Sequence, residues 1–176
     1  MTITAEKRRQ EILETLETAD SPCSGTKLSR LFGVTRQVIV ADIALLRAGG
    51  VPILATPRGY TLYSPSLQGR GVRRTIASRH GSDTDAIRDE LYTIVDHGGR
   101  IIDVIVEHPV YGEIAGSLQI HSRRHADQFL DKLNNTQAEP LLVLTDGLHL
   151  HTIEADSQDD MDAAIAALKA RGLLVE

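Results

Sequence analysis

The chain has 176 residues, 41% of them hydrophobic and 24% charged, the balance of a water-soluble globular protein. No apolar run approaches the roughly 18 residues needed to cross a bilayer, and no apolar block follows Lys7-Arg8-Arg9 as a secretory leader would require. A single cysteine, Cys23, excludes an internal disulfide and a multi-cysteine zinc site, so a cytoplasmic protein is expected.

The net charge of −5 is unevenly spread. Residues 1–74 carry 11 Lys and Arg against 6 Asp and Glu, a net of +5, while residues 75–176 carry 8 against 18, a net of −10. The two halves are therefore expected to meet different partners: phosphate for the first, a cation or solvent for the second. The charge changes near Ser64-Pro65-Ser66-Leu67-Gln68-Gly69-Arg70-Gly71, a stretch poor in apolar residues. It predicts a domain at 1–64, a linker at 65–71 and a second domain at 72–176.

In the first domain, Ile12, Leu13, Leu16 and Ala19 predict a helix from about Ala5 to Ala19. A second, short helix follows Ser24 and stops at Gly33, and a third runs from Thr35 to about Ala48 before Gly49-Gly50. The extended runs Val51–Leu54 and Tyr60–Tyr63 flank the turn Ala55-Thr56-Pro57-Arg58-Gly59. Helix, Gly33-Val34, helix and then a hairpin is the outline of a winged helix-turn-helix. At 100° per residue, Arg36, Gln37, Val40 and Ala44 share one side of the third helix, while Ile39, Ile43 and Leu46 share the other. Arg pairs with guanine, Gln with adenine, and a small apolar group such as Val40 with a thymine methyl. Thr35 at the helix start suits a phosphate, and Arg58 sits at the wing tip. A domain that contacts only protein is the alternative reading, and Lys7-Arg8-Arg9 suits a solvated end at least as well as a phosphate contact.

In the second domain, strands are expected at Thr75–His80, Arg100–Glu107 (buried on both faces) and Glu113–Ile120. A hairpin of Leu141–Thr145 with His149–Glu154 should close around Asp146-Gly147. Helices are expected at Thr84–Val95, Ser122–Leu133 and Asp159–Ala170, and Leu173-Leu174-Val175 reads as an edge strand. The class is α+β: a winged helix-turn-helix followed by a small α/β sandwich. His149 and His151, two residues apart on a strand, leave the same face. With His80 and Glu90 as candidate partners, they would suit Ni²⁺, Zn²⁺, Fe²⁺ or Co²⁺, not Ca²⁺ or Mg²⁺. His97, His108, His121 and His125 read as ordinary surface or helix-end residues.

Two stretches carry a family resemblance. Arg100-Ile101-Ile102-Asp103-Val104-Ile105-Val106-Glu107-His108-Pro109-Val110-Tyr111-Gly112-Glu113-Ile114, and Glu139-Pro140-Leu141-Leu142 with Leu148-His149-Leu150-His151-Thr152-Ile153-Glu154-Ala155, resemble the 3H domain. Thr35–Ile43 and Ala55–Tyr60 look like the helix-turn-helix and wing of the same proteins, the niacin-responsive repressor family. The resemblance implies that His80, His149 and His151 are the three histidines of the 3H name and that Glu90 is the acidic metal ligand, with Asp89 as its competitor. It also implies a homodimer on palindromic double-stranded operator DNA, nicotinic acid as effector, and control of NAD biosynthesis or niacin uptake genes. Arg79 is a guess for a cation that meets the effector. A metal sensor without an organic effector, and a metal-dependent enzyme, are the competing readings. No nucleophile paired with a general base is evident for the latter.

Overall fold

A computed structural model describes residues 4–63 and 71–175. The chain divides into two compact units, Met1–Leu67 and Gln68–Glu176. Most of the expected 65–71 linker lies outside the described residues.

The first unit is built from helices α1 (Ala5–Glu17), α2 (Gly25–Phe32) and α3 (Arg36–Ala48) and strands β1 (Ile53–Thr56) and β2 (Gly59–Leu62). Each helix starts where a side chain meets an otherwise unpaired N–H group. Thr4, Ser24 and Thr35 accept from the backbone N–H of Lys7, Lys27 and Val38. Gly33, at φ 62°, ends α2 in the left-handed conformation that lets the chain turn into α3. Ile12, Leu16, Leu28, Ile39, Ile43 and Ile53 form the core with Cys23. Each such aliphatic side chain contributes about 1.5–3 kcal/mol on burial.

The wing is tighter than expected. Its turn is only Pro57-Arg58, because Thr56 pairs directly with Gly59, and the first strand lies two residues and the second one residue closer to the tip than expected. Cys23 adds a third short pairing, exchanging backbone hydrogen bonds with Tyr60 at 2.8 and 2.9 Å. A Cβ at Gly59 would stand 2.4 Å from the Cys23 carbonyl oxygen, so only glycine fits beside that bridge.

The second unit is a four-stranded antiparallel sheet in the order β3-β6-β4-β5, formed by β3 (Val72–Arg79), β4 (Gly99–His108), β5 (Gly112–Ile120) and β6 (Leu148–Ala155). Helices α4 (Thr84–Asp96), α5 (Arg123–Thr136) and α6 (Gln158–Ala170) pack with one core of Ile76, Ile101, Ile120 and Ile153 from the strands and Leu91, Ile94, Leu130 and Leu168 from the helices. On β3 the alternate residues Arg73, Thr75 and Arg79 stay exposed. Along β4, Ile101 and Val106 are buried while Ile102, Val104 and Ile105 are only half-buried, so this strand is not enclosed on both faces as expected.

The expected hairpin of Leu141–Thr145 with the histidine strand does not form. Leu141–Thr145 is a 3₁₀ turn entered at Pro140, with Val143 N–H donating to the Pro140 carbonyl at 3.1 Å. Of its four apolar residues only Leu142 is fully buried. Proline fixes the entry, and the short i→i+3 bonds replace a ladder. β6 pairs instead with β3 on one side and β4 on the other. The chain end forms a single bridge, Ser78 to Leu174, and no longer strand is seen among the described residues.

Candidate metal centre and DNA-reading face

Topology brings the separated histidines together. β3 and β6 are neighbours in register, with Ser78 opposite His149 and Ile76 opposite His151. His80 directly follows Arg79, the last residue of β3. On β6, His149, His151, Ile153 and Ala155 alternate onto one buried face. Ile87, Leu91 and Ile94 define the buried stripe of α4, and Glu90, three residues after Ile87, falls on it at 1% exposure. A carboxylate is thereby carried into the core.

All three imidazoles converge on one oxygen. Glu90 Oε2 lies 2.7 Å from His80 Nε2, 3.0 Å from His149 Nε2 and 3.3 Å from His151 Nε2. The ligand atoms of His80, Glu90 and His149 all lie within 4.8 Å of one another. Adjacent rings stand nearly perpendicular, at 83° for His80–His149 and 82° for His149–His151.

The far nitrogens decide the tautomers. His80 Nδ1 faces the Gly81 carbonyl at 2.8 Å, His149 Nδ1 the Gly147 carbonyl at 2.9 Å, and His151 Nδ1 the Asp103 carbonyl at 2.6 Å. A carbonyl only accepts, so each Nδ1 carries the hydrogen and each neutral ring aims an Nε2 lone pair at Glu90. Three acceptors then face a carboxylate, which also only accepts. A cation must relieve that arrangement, as protons on the rings or as a metal ion. Burial works against a charged His80 and His151, but the hydrogen bond and charge of Glu90 outweigh it and raise both pKa values. Burial would raise Glu90, yet the charge of His151 and the three imidazole contacts hold its pKa well below the usual carboxylate range.

The residues fit a transition metal. Glu90 Oε1 is buried with no hydrogen-bond partner among the described residues, a lone pair awaiting an electropositive neighbour. Donors about 2.1 Å from a common ion stand about 3.0–3.4 Å apart, close to the 2.7–3.3 Å separations found here. Imidazole donors with a single carboxylate favour borderline ions over Ca²⁺ or Mg²⁺.

Asp89, the competing carboxylate, points elsewhere: it is half-exposed and pairs with Arg171. Arg79 is exposed, on the face of β3 opposite that of Ser78, so the structure does not bring it to the cluster. His97 donates to the Thr93 carbonyl, and His108 accepts from the N–H groups of Val110 and Tyr111. Neither joins the site. Sequence reasoning missed Asp103 and Gly147, whose carbonyls orient two of the rings. Gly147 before the His-x-His pair was the one available signal, because a glycine there permits a close backbone approach.

In the first unit, Arg36, Gln37, Val40, Ala41 and Ala44 are exposed along α3, and Ile39 and Ile43 are buried. Thr35 caps the start of that helix, and Arg58 sits half-buried in the wing turn with its N–H donating to Thr56 Oγ1. Arg8 is not a solvated end. Its Nε lies 2.6 Å from Oδ2 of Asp42, buried on α3, and Arg9 lies 3.6 Å from the other oxygen.

A helix-turn-helix unit with a wing, followed by an α/β unit holding three histidines on one carboxylate, defines a class of two-domain DNA-binding regulators. Comparison with known proteins agrees. Residues 8–61 match the HTH domain family and residues 73–176 the 3H domain family. The chain is 44% identical over 171 residues to the probable transcription repressor NiaR of Thermotoga maritima, covering 97% of this chain and 95% of that protein. It is 41% identical over 170 residues to the transcription repressor NadR of Bacillus subtilis, covering 96% and 93%. The chain belongs to the NiaR/NadR family of transcription repressors. These relatives are named repressors, not enzymes.

Proposed function

We propose that the chain is a homodimeric, nicotinic acid-responsive repressor of NAD biosynthesis or niacin uptake genes, acting in the cytoplasm on palindromic operator DNA. His80, Glu90, His149 and His151 hold one divalent ion, Ni²⁺, Zn²⁺ or Fe²⁺. The observation that carries this reading is the convergence of three Nε2 lone pairs on Glu90 Oε2. The ion would supply a Lewis-acid position for a carboxylate or a pyridine nitrogen. The protein's own part is to fix the ring tautomers and to keep Glu90 charged inside the core.

In the first unit, Arg36, Gln37 and Val40 are the base-reading side chains, while Thr35 and Arg58 meet the backbone. Effector binding alters repression only if it favours one arrangement of the paired heads over another. The test is a thermal-shift series with nicotinic acid and related pyridines, with and without divalent metal, alongside operator titration. Stabilisation by nicotinic acid that requires metal, with tighter operator binding, is expected. Operator binding that answers to metal alone would replace this reading with a metal sensor.

A further inference from the structure

The β4–β6 ladder breaks beside the site. Ile101 pairs with Ile153, but the next pairing is Ile105 with Leu150, so β4 carries one residue more than β6 in between. Asp103 sits inside this bulge and is used twice. Its side-chain Oδ1 accepts the Thr152 N–H at 2.9 Å, taking the place of a ladder carbonyl. Its own carbonyl, turned out of the ladder, accepts the His151 Nδ1–H at 2.6 Å. A bulge frees a backbone group and re-aims it, and here the freed carbonyl selects the tautomer of a ring in the cluster.

We propose that Asp103 is a positioning residue for the histidine site. Its carboxylate pins the bulge through Thr152 and thereby holds the carbonyl that keeps the His151 Nε2 lone pair aimed at Glu90. The inference deepens the metal reading above, on which its affinity test rests. The side chain acts as an acceptor at a fixed distance, and its charge is secondary. Asn, whose Oδ1 can accept the same N–H, should therefore replace it, and Glu, which carries the charge on a longer stem, should not.

The experiment compares Asp103→Asn, Asp103→Glu and Asp103→Ala in the full chain. Metal affinity is measured by chelator competition with Zn²⁺ or Ni²⁺, and the His151 tautomer by ¹⁵N NMR of the metal-free protein at a pH above the raised His151 pKa, where the ring is neutral. Thermal unfolding monitors folding. The Ala and Glu variants should lose about ten- to a hundredfold in affinity, the usual effect of removing an outer partner of a ligand. They should also show mixed tautomers at His151 while His80 and His149 stay unchanged. Asn should restore both readouts. Wild-type affinity and tautomer in Asp103→Glu, or an Asn variant as impaired as Glu, would overturn the proposal. Should Ala fail to fold, the Asn–Glu comparison still decides. The NMR readout needs no metal, so a wild-type chain that binds none would defeat the metal reading while the His151 tautomer in the Asn and Glu variants still decides for or against Asp103.

Discussion

Gly147 leaves no room for a side chain beneath His80. A Cβ there would stand 2.2 Å from the His80 carbonyl oxygen, and the glycine's φ of +85° is one that other residues adopt at a cost. The same residue offers its carbonyl to His149 Nδ1, so one glycine seats one histidine and orients another. Gly147→Ala should therefore lose at least about 1–2 kcal/mol from the left-handed backbone alone, before the clash is counted. Urea unfolding measures the stability, and chelator competition should show a parallel loss of metal affinity. A variant with unchanged stability and affinity would remove Gly147 from the account.

The acidic–basic pair in the first unit makes a separate prediction. Arg8 ties α1 to a buried carboxylate on α3, the helix that presents the proposed DNA-reading residues. Arg8→Ala should cost about 1–2 kcal/mol, at the low end for a charged hydrogen bond because Arg9 remains near Asp42. Denaturant unfolding measures it. A variant of wild-type stability whose operator affinity alone falls would mean that Arg8 serves phosphate instead.

The histidine cluster predicts opposite pH responses with and without metal. In the metal-free protein the raised His80 and His151 values stabilise the fold fully below the ordinary histidine pKa of about 6.5, and that contribution is lost as pH rises through the folded values. The depressed Glu90 value contributes above the ordinary carboxylate range and is lost as pH falls through the folded value. Metal binding needs neutral imidazoles, so its stabilisation grows as pH rises. Melting temperatures from pH 5 to 9 should fall with pH in EDTA above about 6.5, and the metal-dependent increment should widen. Parallel curves would contradict this.

Arg36 is exposed near the start of α3 and free to reach a base edge in the proposed complex. Arg36→Ala should weaken operator binding by about 1–3 kcal/mol and relax preference at one base pair. Fluorescence anisotropy at fixed salt, with operator and scrambled duplex, measures both effects. An equal loss on the two duplexes would assign Arg36 to the phosphate backbone.

Much of this molecule was readable in its sequence because the signals were local. Ser24, Gly33 and Thr35 mark helix ends through bonds within three or four residues, and they stand where the pattern put them. The same holds for His149 and His151, whose shared face follows from strand geometry. Leu141–Thr145 misled because four apolar residues in a row suit a strand and a short turn equally, and only Pro140 hinted at the turn. Asp103 was invisible inside an apolar run, since its role exists only once a bulge sets it against Thr152, 49 residues away. Asp42 likewise reads as an ordinary helix charge until α1 delivers Arg8 to it.

The proposed function requires a cation at the point where His80, Glu90, His149 and His151 converge. The direct measurement is the amount of divalent metal retained per chain after exhaustive dialysis, for wild type and for the double variant His149→Ala with His151→Ala. Wild type should retain one equivalent of Ni²⁺, Zn²⁺ or Fe²⁺, and the folded double variant essentially none. Equal retention by the two proteins, or no tight binding by wild type, would contradict it.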